Sequence, residues 1–203
     1  VFTRYAGVEM MSLGACIYAN GATNIAVTGR GRLIGPGQGP VRDEMQGNER
    51  FNDIDPATPV SDRIYDGIEN PYIYRPMFIS PINCEKIYIE GISLEISAFW
   101  NIVPIYCNNI IVRGVTIHSV GIPSGDGINM ESSRNALIEY CTLSCGDDCF
   151  TMKAGRGGDG IDKGSKILCS TRLFQEILSF EVLGEGDEID GLIVVIEISH
   201  PFK

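Results

Sequence analysis

A nine-residue pattern recurs without gaps along the middle of the chain, and it limits the fold more than any other feature. Lys86-Ile87-Tyr88-Ile89-Glu90-Gly91-Ile92-Ser93-Leu94 aligns with Asn109-Ile110-Ile111-Val112-Arg113-Gly114-Val115-Thr116-Ile117. It aligns again with Asn135-Ala136-Leu137-Ile138-Glu139-Tyr140-Cys141-Thr142-Leu143. The copies start 23 and 26 residues apart, and Asn24-Ile25-Ala26-Val27-Thr28-Gly29 is a looser copy. Apolar residues recur at spacing two, which gives an extended strand one apolar face. A unit this short cannot bury that face alone, and the next copy covers it. Repeats of this period without helical periodicity predict an all-β solenoid, a parallel β-helix. A leucine-rich repeat competes, but its leucine and asparagine spacing is absent. A sandwich is disfavoured because no two-residue hairpin turns separate the copies.

A chain of 203 residues is long enough for one domain with a sizeable core. Its net charge of −10 argues against nucleic acid as a partner, since no basic stripe neutralises phosphates. An acidic polysaccharide would need local cations in its groove for the same reason. No apolar run is long enough to span a membrane. No signal peptide is visible, and the chain opens Val1-Phe2-Thr3-Arg4, like the middle of a longer protein. The seven cysteines are odd in number, and Cys141-x3-Cys145-x3-Cys149 lacks the paired CxxC and His partners of a zinc site. They are expected to be buried thiols packing as small apolar residues, with one disulfide left open.

Short strands and turns are expected over 1–35. Residues 35–76, rich in Gly, Pro, Asp and Asn, are expected to be a loop insertion. Tyr65, Tyr72 and Tyr74 within it either stack on sugar faces or cover the side of the core. Asp126, Asp147 and Asp148 stand in two Gly-Asp settings 21 and 22 residues apart, with a strand-like run at 135–143 between them. One turn of a coil over that distance puts the carboxylates on neighbouring strands, roughly 4.8 Å apart along the stack. Clustered carboxylates raise at least one pKa, which suits acid/base work on an acetal. Each Gly-Asp pair taken singly also fits a surface turn.

The run Gly125-Asp126-Gly127-Ile128-Asn129, with Cys145-Gly146-Asp147-Asp148-Cys149-Phe150-Thr151-Met152-Lys153-Ala154-Gly155, resembles glycoside hydrolase family 28, the polygalacturonases and their relatives. The family pattern is Asn-Thr-Asp-Gly-Ile-Asp, then about one coil later Gly-Asp-Asp-Cys-x-x-x-Lys-Ser-Gly. Arg75-Pro76, the Asn-Ile-x-Val-x-Gly strands and Ser97-Ala98-Phe99-Trp100 are similar too. The resemblance covers 1–160 and implies a right-handed parallel β-helix with a sugar groove across one sheet. It implies inverting hydrolysis of galacturonic-acid-containing pectic polysaccharide or oligogalacturonide, with no cofactor. A monomer in a secreted or periplasmic location is expected with it. Asp147 matches the general acid, and Asp126 and Asp148 match the pair that activates water. Lys153 and Trp100 are expected to contact substrate, although a solvated lysine fits Lys153 equally well. Both adjacent aspartates can serve one groove only if Gly146 bends the chain.

The chain also departs from the pattern. Ser124-Gly125 stands where the family has Asn-Thr, and Asn129 where it has a second Asp. No Gly-His-Gly or Arg-x-Lys element follows, and His118 and His200 match no family role. Weak or absent activity is therefore expected. Residues 161–203 do not resemble the family: 173–182 fits a short helix or a strand, and 192–198 is a β-prone apolar run. That segment is either a cap on the solenoid or foreign sequence. Two other readings stay open: a β-helix that binds the polysaccharide without cutting it, and a pectate-lyase-like enzyme needing Ca²⁺. The Gly-Asp-Asp-Cys pattern argues against the lyase.

Overall fold

The computed structural model describes residues 1–5, 7–37, 55, 57–65, 75–155, 168–175, 180–184 and 193–198. Strands β1 (Phe2–Tyr5) and β2 (Val8–Ser12) form an antiparallel hairpin. The chain then winds. A first coil lays down β3 (Ala15–Asn20), β4 (Thr23–Thr28) and β5 (Arg32–Ile34) on three successive walls. After β6 (Ile64–Tyr65), which pairs with β2, a second coil repeats the course as β7 (Met77–Ile82), β8 (Glu85–Glu90) and β9 (Ser93–Glu95). In the third coil, bridges at Ile102 and Ile105 continue the first wall, followed by β10 (Asn108–Arg113) and β11 (Thr116–His118). The fourth consists of β12 (Ile128–Glu131) and the long β13 (Arg134–Ser144), which covers the second and third walls. Then come β14 (Phe150–Gly155), β15 (Leu168–Gln175), β16 (Phe180–Gly184) and β17 (Ile193–Ile198). Among the described residues every coil-to-coil pairing is parallel, and the fold is a right-handed parallel β-helix.

The register reproduces the repeat. Ile25, Ile87, Ile110 and Ala136 are partners on the second wall, and Leu33, Leu94, Ile117 and Leu143 on the third. Their side chains stack inside the coil with Ile89, Val112, Ile138, Ile128, Met130, Phe150 and Met152. Each fully buried aliphatic side chain contributes about 1.5–3 kcal/mol, so the column of like residues holds the coils together.

The corners explain the polar residues of the repeat. Asn24, Lys86, Asn109 and Asn135 occupy one corner in successive coils, all left-handed with φ between 54° and 59°. Asn tolerates this conformation, whereas Lys pays a steric penalty there. Lys86→Asn is therefore expected to stabilise the protein by about 0.5–1 kcal/mol, measured as a raised midpoint in urea unfolding. The next corner holds Gly91 (φ 75°), Gly114 (φ 58°) and Tyr140 (φ 56°), the variable bend position of the repeat.

A second apolar cluster lies outside the first wall. Met77, Ile82, Phe99, Trp100, Val103 and Ile105 are covered there by Phe2, Tyr5 and Tyr18. Arg4 pins the hairpin in place. Its fully buried guanidinium donates to Ser132 Oγ (2.6 Å), approaches Glu131 Oε2 (3.8 Å) and stacks 4.8 Å from the centre of the Tyr106 ring.

Cys84, Cys107, Cys141 and Cys149 are buried free thiols, as packing suggested; Cys145 is half-buried and Cys16 exposed, and none of these six is in a disulfide. Tyr65 is half-buried in β6, while Tyr72 and Tyr74 lie outside the described residues. In the C-terminal segment, β15 pairs with β13, β16 with β14, and β17 with β15, so these backbones lengthen all three walls. Within 173–182, the residues described are strand rather than helix.

Candidate active site

The three aspartates meet at the entrance to the first wall. Strands β12 and β14 pair with Ile128 opposite Phe150, and the ladder runs back through Ile128 N to Cys149 O (3.0 Å) and Gly127 N to Asp148 O (2.8 Å). That register sets Asp126 beside Asp148 one coil on, with Asp147 one residue ahead. Burial grades across them: Asp126 is 3% exposed, Asp148 half-buried and Asp147 exposed. The approach to Asp126 is tightly held. Asn101 N and Nδ2 donate to its carbonyl (2.9 and 2.8 Å), Ser119 Oγ donates to Gly125 O (2.5 Å), and Arg75 Nη1 donates to Pro123 O (3.0 Å) and Ala98 O (2.9 Å).

Asp126 is asymmetric. Its Oδ2 accepts from Asn129 Nδ2 (2.9 Å) and pairs with Lys153 Nζ (3.4 Å), and Thr151 Oγ1 donates in turn to Asn129 Oδ1 (2.8 Å). Its Oδ1 is buried and meets no donor among the described residues. Burial pushes the Asp126 carboxyl up to about 6; Lys153 and Asn129 oppose the rise, and the charge of Asp147 adds to it. Asp126 is thus a carboxyl whose charge turns on just below neutrality, with one oxygen held by protein donors and the other without a donor among the described residues.

Trp100 and Lys153, expected to contact substrate, have partners inside the chain. Trp100 is 5% exposed and stacks against Tyr5 (centroids 4.9 Å apart) and Phe99 (4.6 Å). Lys153 is buried, with Nζ 4.0 Å from the centre of the Trp100 ring. Sequence reading missed this because the covering residue, Tyr5, comes from the far hairpin. Gly146 lies in a bend, as expected; its φ is not left-handed, and close approach adds a demand for glycine, since a Cβ there would lie 2.2 Å from Ile122 O and 2.7 Å from Ser119 O. His118 is exposed on the outer face of the third wall, register partner of Glu95.

The model of glycosyl hydrolases family 28 matches residues 9–170, the greater part of the chain and all of the site. The chain belongs to glycosyl hydrolases family 28. Family relatives include a probable polygalacturonase of Vitis vinifera, 37% identical over 120 residues, covering 58% of this chain and 24% of the relative. Another, a probable polygalacturonase of Arabidopsis thaliana, is 24% identical over 151 residues, covering 70% of this chain and 33% of the relative. Among solved structures, an exopolygalacturonase from Thermotoga maritima superposes with a TM-score of 0.77 at 25% identity, over 98% of this chain and 49% of the other. The chain thus spans a quarter to a third of these curated relatives and about half of the solved one. Family membership accounts for the Asp-Gly-Ile and Gly-Asp-Asp-Cys runs together.

A pH signature of stability follows from Asp126. Its folded pKa lies above the ordinary aspartate value, so the protonated form favours the fold. That stabilisation is complete below about pH 4 and is lost as pH rises through about 6. At 1.36 kcal/mol per unit the loss is about 2–3 kcal/mol. Urea unfolding at pH 4.5 and 7 should show this component in the native chain and not in Asp126→Asn.

Proposed function

We propose that this chain carries the acid/base apparatus of an inverting glycoside hydrolase acting on galacturonic-acid-containing pectic polysaccharide. The observation that carries the reading is Asp126: a buried carboxylate, titrating at about 6, with Oδ1 unpartnered among the described residues and two further aspartates one coil away. In this scheme Asp147, the exposed one, gives its proton to the glycosidic oxygen as the bond to the anomeric carbon breaks. Asp126, with Asp148, takes a proton from a water whose oxygen bonds to that carbon from the opposite face. The sugar leaves inverted, and exchange with solvent resets both carboxyls. A cell-wall polymer places this chemistry outside the cytoplasm, in a secreted or periplasmic setting.

The Gly-His-Gly and Arg-x-Lys elements expected from the resemblance do not occur in this sequence. Without those charged clamps substrate positioning suffers, and turnover by this chain is expected to be low. The test is polygalacturonate hydrolysis followed by reducing ends, with proton NMR of the first product. The expected result is slow release of the inverted anomer. A retained anomer, or a product absorbing in the ultraviolet, would replace hydrolysis by inversion with another chemistry. Calorimetry with oligogalacturonides separates cutting from holding: binding without cleavage, unchanged in Asp126→Asn, would make the groove a binding surface only.

A further inference from the structure

We propose that Trp100 is a positioning residue: its indole holds the Lys153 ammonium against Asp126, so the ring governs the candidate base without touching substrate. The inference rests on the hydrolase reading for its functional meaning and on geometry for its content. Trp100, Asp126 and Lys153 come from three successive coils. Asn101 N donates to Asp126 O (2.9 Å), which places Trp100 one rung before Asp126, and β14 brings Lys153 from the rung after. The Lys153 Nζ then lies 3.4 Å from Asp126 Oδ2 and 4.0 Å from the ring centre. A buried ammonium needs more than one carboxylate oxygen to offset lost hydration, and an aromatic face supplies the rest. The ring is held in turn by Tyr5 and Phe99, which also stack on each other.

Among the described residues, charged and titratable groups surround the pair, with Arg75 packed on the neighbouring Phe99 ring. Asp126 feels Lys153 from β14, Asp147 from the turn ahead of β14, and Cys145 from the end of β13. Asp148 is its register neighbour. Glu131 is the register partner of Lys153 on β12, and it faces Arg4 from the hairpin. Among these groups, Lys153 is the cation that lowers the Asp126 pKa, which is why its placement matters.

The test is the titration of Asp126 itself, read by carboxyl-carbon NMR on aspartate-labelled protein, with Asp126→Asn identifying the resonance. Lys153→Met should move the midpoint up by about one unit, and Trp100→Leu should move it the same way by about half as much. Trp100→Phe, which keeps a ring, should restore most of the native midpoint. Trp100→Leu added to Lys153→Met should change nothing further, because the ring acts through the lysine. An unmoved midpoint in Trp100→Leu would overturn the proposal, as would an equal shift in the Lys153→Met background. Should Trp100→Leu not fold, the native spectrum decides: the Lys153 ε-methylene protons must be shifted upfield by the ring, and ordinary lysine shifts would overturn the assignment. None of these readouts needs turnover. If polygalacturonate is not cut but the midpoints move as stated, the hydrolase reading fails and this one stands.

Discussion

Asp147→Asn is expected to lower whatever polygalacturonate hydrolysis the chain supports by about 10²–10⁴-fold, the range a positioned general acid supplies. The variant is a clean one. Asp147 is exposed, and among the described residues its side chain accepts a hydrogen bond from the Asp148 amide at Oδ1 (3.0 Å), which the amide oxygen of Asn can still accept. Stability should therefore stay within about 0.5 kcal/mol of the parent, as for other surface changes. The same substitution removes a negative charge that pushes the Asp126 pKa upward, so the Asp126 midpoint should fall. A loss of turnover with unchanged unfolding and a lowered Asp126 midpoint identifies Asp147 as acid and neighbour at once. Full turnover in the variant would remove Asp147 from the chemistry and leave Asp126 and Asp148 without a proton donor.

Much of this was legible in the residues because β-helix coils are built from local repetition. Ile87, Ile110 and Ala136 align by eye, and the register pairs the same three. Once the coil length is known, Asp126 and Asp148 must be neighbours, since side chains one coil apart stack at strand spacing. The corner residues were visible as Asn, Gly or Tyr at fixed places, though only their φ angles show why. What could not be read was everything decided by distant packing. Trp100 is expected from the sequence to contact substrate, but nothing in the sequence shows that Tyr5, from the N-terminal hairpin, stacks on its ring. For Lys153 the sequence leaves a cation near the site and a solvated lysine equally open, because strand alternation gives a direction but not what lies there. Asn129 was visible only as a missing Asp. Its amide donates to Asp126, where a second carboxylate would have to share a proton. Of the C-terminal strands, β17 coincides with the β-prone run at 192–198, whereas only backbone pairing shows how β15 and β16 join the walls.

Gly146→Ala should damage the site. The new Cβ would be 2.2 Å from Ile122 O and 2.7 Å from Ser119 O, both backbone atoms that cannot rotate away. Overpacking of this kind costs about 1–3 kcal/mol, seen as a lowered urea midpoint. Function should suffer more than stability. The turn carrying Ser119 and Ile122 is braced by Ile122 N to Ser119 O (3.0 Å), Gly125 N to Ile122 O (2.9 Å) and the Ser119 hydroxyl on Gly125 O, and it leads straight into Asp126. On the other side, Gly146 leads into Asp147 and Asp148. The methyl group therefore wedges Asp126 apart from Asp147 and Asp148, and on the proposed hydrolase reading displacement by about 1 Å is enough to cost about 10²-fold in rate. Gly114→Ala is the control. Gly114 needs its left-handed φ of 58°, but nothing lies within 4 Å of a Cβ there. It should lose about 1–2 kcal/mol of stability through backbone strain and keep its turnover. If the two alanines behave alike, close approach at Gly146 does not set the spacing of the aspartates, and the turn below it is free to adjust.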